Sequence, residues 1–81
     1  MKRNSADYVL LEEVLRRALD EASELAAKAA RSDREEGGLF AYFNILVWAK
    51  QQAEILGIRF QDEAIRELDP YRLIGGQRDA A

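Results

Sequence analysis

The segment from Leu39 to Ala49, LFAYFNILVWA, limits the fold more than any other part of this sequence. Ten of its eleven residues are apolar or aromatic and the exception is Asn44, in a chain of which 33% is charged. A helix that is apolar on every side belongs in an interior. The segment is much shorter than the roughly 20 apolar residues that cross a bilayer. We therefore expect protein to cover its sides, with no membrane and no leader peptide involved.

The size and composition of the chain limit the ways in which it can be stabilised. Its 81 residues form one small domain, and chains of this size have thin cores that disulfides, metals or self-association often reinforce. There is no cysteine and no histidine, which excludes disulfides and the commonest metal ligands. We expect no metal and no cofactor. Self-association is the leading remaining way to enlarge the core.

The sequence before the apolar segment predicts one long amphipathic helix. It starts at about Ser5, the expected N-cap, and runs without Gly or Pro to about Arg31. Glu12–Arg16 and Glu24–Lys28 are favourably oriented i,i+4 pairs on its charged side. The opposite side carries apolar residues spaced alternately three and four apart, which indicates a packing seam: Tyr8, Leu11, Leu15, Ala18, Ala22, Leu25 and Ala29.

A short break, SDREEGG over residues 32–38, separates this helix from a second one. Asp33 with Glu36 would form a capping box that starts helix 2 early, whereas Gly37 and Gly38 favour a start near Leu39. Both starts remain open at this stage. Helix 2 is expected to end at about Leu56, with Gly57 as a left-handed cap. So short a connection makes the two helices antiparallel neighbours.

Two shorter helices are predicted after the hairpin. The first has two turns and is capped by Gln61 or Asp62, with Phe60 and Ile65 forming a hydrophobic staple if Gln61 is the cap. The second is capped by Asp69, has Pro70 at its first position and ends at Gly75. The whole chain, 1–81, is then a single all-α domain with an ordered core over about 5–75 and a disordered tail over 76–81.

Helix 2 divides into two stripes when its residues are placed 100° apart. One stripe matches the seam of helix 1 and is expected to hold the hairpin together: Leu39, Tyr42, Leu46, Ala49, Ala53 and Leu56. The other, which we call the outer stripe, lies roughly opposite: Phe40, Val47, Trp48 and Ile55, with Asn44 and Gln51 among them. An exposed apolar stripe of this kind usually marks an interaction site.

Three kinds of surface can cover the outer stripe. A second copy of the chain would complete a four-helix bundle, the short C-terminal helices over residues 60–74 would cover it within one chain, and a different protein would make a heterocomplex. Asn44 would hydrogen-bond within the chain, or would meet its own copy at a two-fold axis and fix the register. We favour the homodimer, with an interface of Phe40, Asn44, Val47, Trp48 and Ile55. On this basis Trp48→Glu should give a monomer or an unfolded chain.

Residues arranged for catalysis or nucleic-acid binding are not evident. The same-face carboxylate pairs Asp20–Glu24 and Glu63–Glu67 could in principle hold a cation or transfer protons, but Asp20 and Glu24 alternate with Arg17 and Lys28, as on a solvated face. The net charge of −3 and the dispersed arginines argue against nucleic-acid binding. We expect no catalytic residue and no enzyme.

The sequence therefore favours a small non-enzymatic interaction protein, such as an adaptor, regulator or inhibitor of another protein. Its affinity would come from a buried aromatic centre and its specificity from a charged rim. One alternative is a helical bundle that binds a small molecule or lipid in a pocket near Trp48, with Tyr42, Phe43 and Phe60 around it. A weaker alternative is an enzyme that uses carboxylates and a metal. The expected location is the cytoplasm.

Overall fold

The computed structural model describes residues 5–75, apart from the side chain of Ser5. Its elements are four helices, α1 (Ser5–Ala27), α2 (Asp33–Leu56), α3 (Glu63–Arg66) and α4 (Arg72–Gly75), and the described residues include no strand. This confirms the all-α prediction of a long antiparallel hairpin followed by two short helices. The expected capping by Ser5 and the expected disorder of 76–81 lie outside what the structure describes.

The start of α2 resolves the choice that the sequence left open. Ser32 is the N-cap, and it forms a capping box with Glu35 rather than the predicted one between Asp33 and Glu36. The Glu35 amide donates to the Ser32 hydroxyl at 3.1 Å, and the Ser32 amide donates to the Glu35 carboxylate at 2.9 Å. A hydrogen bond from Lys28, followed by the Ser32 amide, lowers the pKa of Glu35 below its ordinary 4.5. The early start is correct, and both glycines lie inside the helix.

The first helix ends at Ala27, four residues before the predicted end at Arg31. Ser32 needs an extended backbone to act as a cap, with φ −70° and ψ 168°, so the chain must leave the helix earlier. Arg31 is therefore not part of the helix, and its side chain binds the last turn instead. Its guanidinium donates to the carbonyl oxygens of Leu25 at 3.1 Å and of Ala26 at 3.4 Å, which satisfies carbonyls that have no partner within the helix.

The end of α2 follows the prediction. Gly57 has φ +73°, in the left-handed region, and caps the helix. The Ile58 amide donates to the Ala53 carbonyl at 2.8 Å, a bond that is typical of glycine-terminated helices. Ile58 then turns inward and packs against the core. The turn directs the following chain back across the hairpin.

The core lies between α1, α2 and the C-terminal segment. Its buried members come from all three: Leu15, Ala18, Leu19, Ala22, Leu39, Leu46, Ala53, Phe60 and Ile65. Small residues lie where α1 and α2 approach each other near the hairpin loop. A Cβ atom at Gly38 would lie 3.7 Å from Leu25 Cδ1. Leu19 lies off the predicted seam and is buried because the C-terminal segment supplies a further layer. Leu56 was predicted in the seam but is 66% exposed.

Polar contacts fix the C-terminal segment on one side of the hairpin. The Glu12 carboxylate accepts hydrogen bonds from the amides of Gln61 at 2.6 Å and Asp62 at 3.2 Å. The Asp62 carboxylate caps α3 by accepting a hydrogen bond from the Ala64 amide at 2.9 Å. It also accepts one from Arg16 Nη1 at 3.1 Å. Because Asp62 is the cap, the staple that required Gln61 as the cap does not form, although Phe60 and Ile65 are both buried. α3 has one turn, not two.

The second short helix begins at Arg72, two residues later than predicted. Pro70 lies buried in the turn before it, where the Tyr71 amide donates to the Asp69 carboxylate at 3.2 Å. Lys50 Nζ of α2 donates to the carbonyls of Ile65 at 3.0 Å and Arg66 at 2.8 Å, which ties the end of α3 to the hairpin. These contacts define a covered side of the hairpin, occupied by α3 and α4.

Candidate interaction surface

The residues of the outer stripe are mostly exposed in the folded chain. Trp48 is 68% exposed, Ile55 73% and Phe40 48%. Asn44 is also exposed, and Val47 is half-buried. Residues 60–74 therefore leave the stripe largely uncovered, because Phe60, Ile65, Leu68 and Leu73 pack against the hairpin core. Coverage by the C-terminal helices, one of the three alternatives, is not what the structure shows.

Phe40 stands apart from the rest of the outer stripe. Its ring meets Phe43 edge-to-face at a centroid distance of 6.3 Å, and Phe43 in turn meets Tyr71 at 5.2 Å. Phe40 therefore borders the covered side, next to the segment that leads into α4. Val47 is one turn from Phe43 and lies towards the same side as Phe40, whereas Trp48 and Ile55 lie further round α2.

The other side of the hairpin, opposite α3 and α4, carries apolar side chains that lie outside the predicted seam and the outer stripe. Residues two positions apart lie about 200° apart around a helix. Leu10 and Val14 are each two positions from Glu12, which binds the C-terminal segment. Ile45 is likewise two positions from Phe43, which contacts Tyr71. These side chains therefore point away from the covered side.

We call this side the open face and define it by five residues: Leu10, Val14, Ile45, Trp48 and Leu56. Their exposed fractions run from 46% for Ile45 to 68% for Trp48. Leu25, near the end of α1, lies beside Gly38, near the start of α2, so residues early in α1 lie beside residues late in α2. The two helices thus contribute to the same part of the open face. A shallow depression on it is lined by Ile45, Trp48, Ala49 and Gln52.

Charge is distributed unevenly between the two sides of α2. From Gly37 to Leu56 the only charged residues are Lys50 and Glu54, and Lys50 donates into the covered side. The part of the open face that α2 forms therefore carries no charge. Charged residues gather instead where α1 meets α3, around a polar depression lined by Glu12, Glu13, Arg16, Arg17, Asp20 and Asp62, with Val9.

The charges of this polar depression are mostly paired. Arg16 bridges Asp20 at 3.2 Å and Asp62 at 3.1 Å. Partial burial raises the pKa of Asp62. Hydrogen bonds from Arg16 and from the Ala64 amide lower it by more, so the pKa lies below its ordinary 3.8. The same two aspartates raise the pKa of Arg16. These ion pairs hold α3 in place.

The predicted catalytic and ligand-binding alternatives can now be located. Asp20 is bonded to Arg16, and the described residues contain no group of three acidic side chains placed to hold a metal ion. The aromatic residues expected to line a pocket near Trp48 lie apart: Phe60 is buried in the core, Phe43 meets Tyr71, and Trp48 is on the opposite side. The depression beside Trp48 is shallow and open to solvent.

The sequence contained a signal for the open face. Leu10 and Val14 are apolar residues one turn apart that fall outside the α1 seam, and Ile45 falls outside both stripes of α2. Each looks like an isolated exposed residue along the chain, and single exposed apolar residues are common. Only the position of α3 and α4 shows that they share one side.

Comparison with known proteins gives no family for this chain. No protein-family model, no curated protein and no solved structure matches it. Among the described residues, no helix has the length and apolar character needed to cross a membrane.

Proposed function

We propose that this chain is a non-enzymatic interaction protein, working in the cytoplasm, that binds another protein chain through the exposed apolar surface of α2. One observation carries the proposal: Trp48 and Ile55 are 68% and 73% exposed on a helix surface that bears no charge. Contiguous exposed apolar surface usually marks a binding site, and tryptophan is among the residues most often found at the centre of interfaces.

The form of interaction that we propose is a homodimer in which two hairpins build a four-helix core. The thin core of an 81-residue chain supports this form, because a second copy would cover the exposed apolar side chains of both chains at once. A two-fold dimer uses the same surface on both copies. An uncharged surface can meet its own copy without repulsion between like charges.

Replacement of Trp48 tests the proposal. Trp48→Glu should leave the helical content unchanged, because the side chain is mostly exposed in the single chain; the sequence-based alternative of an unfolded chain is thereby disfavoured. The charge should weaken dimerisation by about a hundredfold or more, as for a central interface residue. Trp48→Phe, which keeps an apolar ring, is the control. Sedimentation velocity at micromolar concentration measures the effect, and a monomeric wild type would refute the homodimer.

A second candidate function is binding of a small molecule or lipid at the depression beside Trp48. Its apolar lining of Ile45, Trp48 and Ala49 favours it, and its openness to solvent counts against it. Trp48 is the only tryptophan, so its fluorescence would report a ligand there. Native mass spectrometry of protein purified from cells distinguishes the two functions, since a monomer with a stoichiometric small molecule would favour this candidate.

A further inference from the structure

We infer that the second copy docks on the open face, so that α1 contributes to the interface through Leu10 and Val14. The inference rests on the proposed function, which concerns only the surface of α2. It replaces the sequence-based interface, which ran along α2 from Phe40 to Ile55, by one that spans both helices. Phe40 and Val47 then lie outside its centre.

The first argument for this arrangement is the exposure of side chains on α1. Leu10 is 66% exposed and Val14 56%, although both lie on a helix that is otherwise amphipathic. Ion pairs flank them only further along the helix, where Arg17 bridges Glu21 at 3.1 Å. An apolar centre with charged residues at its border is the usual composition of a protein interface.

The second argument concerns size. A helix of 24 residues is about 36 Å long, and two helices packed side by side are about 20 Å across. The whole side of the hairpin that contains the open face therefore measures about 700 Å² per copy. The five apolar residues occupy part of it, and a stable interface buries roughly 800 Å² per partner. A single helix surface offers about half of this area. The face of both helices fits a stable dimer, and the outer stripe of α2 alone does not.

The third argument concerns the other occupants. The α2 part of the face is uncharged, which does not suit an anionic lipid surface or an acidic partner. A second copy supplies an equal apolar area, and the α2 part of its own face also carries no charge.

Two valines on α1 form a matched pair for the experiment. Val14 is 56% exposed and lies on the open face, whereas Val9 is 55% exposed and lines the polar depression next to α3. Val14→Arg and Val9→Arg therefore introduce the same charge on the same helix at equal exposure. We expect sedimentation velocity to show dimerisation weakened at least about tenfold in Val14→Arg, and changed less than about twofold in Val9→Arg.

Further variants keep the inference separate from the proposed function. Leu10→Glu should weaken the dimer as Val14→Arg does, and circular dichroism confirms that each variant is folded. If Trp48→Glu dissociates the dimer while Leu10→Glu and Val14→Arg do not, the inference is refuted and the proposed function stands. If Val9→Arg and Val14→Arg dissociate the dimer equally, the open face is not the interface. A monomeric wild type refutes a second copy as the occupant.

Discussion

At the scale of single residues, Gly37 and Gly57 differ in whether their backbone conformation requires glycine. Gly37 lies inside α2, and a Cβ atom there would have no neighbour within 4 Å. Gly57 has φ +73°, which residues with a side chain rarely adopt. The two positions thus differ in backbone conformation, while neither is crowded. Substituting alanine at each separates the entropic effect of glycine from its conformational role.

We predict that Gly37→Ala stabilises the chain by about 0.5–1 kcal/mol, because alanine restricts the unfolded chain and favours the helix. Gly57→Ala should destabilise it by about 1–2 kcal/mol, the cost of a left-handed conformation. Urea unfolding followed by circular dichroism measures both. If both substitutions changed the free energy of unfolding equally, Gly37 would lie outside α2, and the helix would start near Leu39 instead.

At the scale of elements, the sequence predicted the helices better than their ends. Heptad spacing on α1 and the Gly57 cap depend on neighbours along the chain, so both could be predicted. The end of α1 at Ala27 depends on which of two capping boxes forms, Ser32 with Glu35 or Asp33 with Glu36. Ser32 with Glu35 forms, and Arg31 then binds the last carbonyls of α1. The second apolar side of the hairpin could not be assigned, because the docking of α3 decides which side remains open.

Glu12 of α1 accepts the two backbone hydrogen bonds that connect the start of the α3 segment to the hairpin. We predict that Glu12→Ala, which removes the acceptor of the Gln61 and Asp62 amides, loosens α3 while the hairpin stays folded. Helix α3 has only one turn and cannot persist alone. Native-state hydrogen exchange should speed up at Arg66 and Leu68, whose amides bond within this turn, and should change little at Leu46.

Glu13→Ala is the matched control, because Glu13 is the next residue of α1 and is exposed. It removes the same charge from the same helix and should leave exchange in α3 unchanged. Faster exchange at Leu46 in Glu12→Ala would show that the C-terminal segment and the hairpin unfold together, and would contradict a local role for Glu12.

At the scale of the whole molecule, stability and association are expected to be coupled. Within residues 5–75, the core of one copy contains nine buried apolar residues, three of which are alanines. A core of this size gives a small chain modest stability. If the open face of each copy covers that of the other, the apolar area of the interface adds to the stability of both. Dissociation then exposes the five residues of the open face and leaves each chain with its thin core.

We predict, as a consequence, that the melting temperature rises with protein concentration. A hundredfold increase in concentration favours the dimer by about 2.7 kcal/mol. For two chains of this size, each kcal/mol moves the midpoint by about 2–4 °C, so the expected rise is about 5–10 °C. Trp48→Glu should melt at a temperature that does not depend on concentration, close to that of dilute wild type. Because the α2 surface carries no charge, the rise should persist in 0.5 M salt, about threefold above the physiological level at which surface ion pairs are already screened. A wild-type midpoint that is independent of concentration would show that each hairpin is stabilised only by the contacts within its own chain.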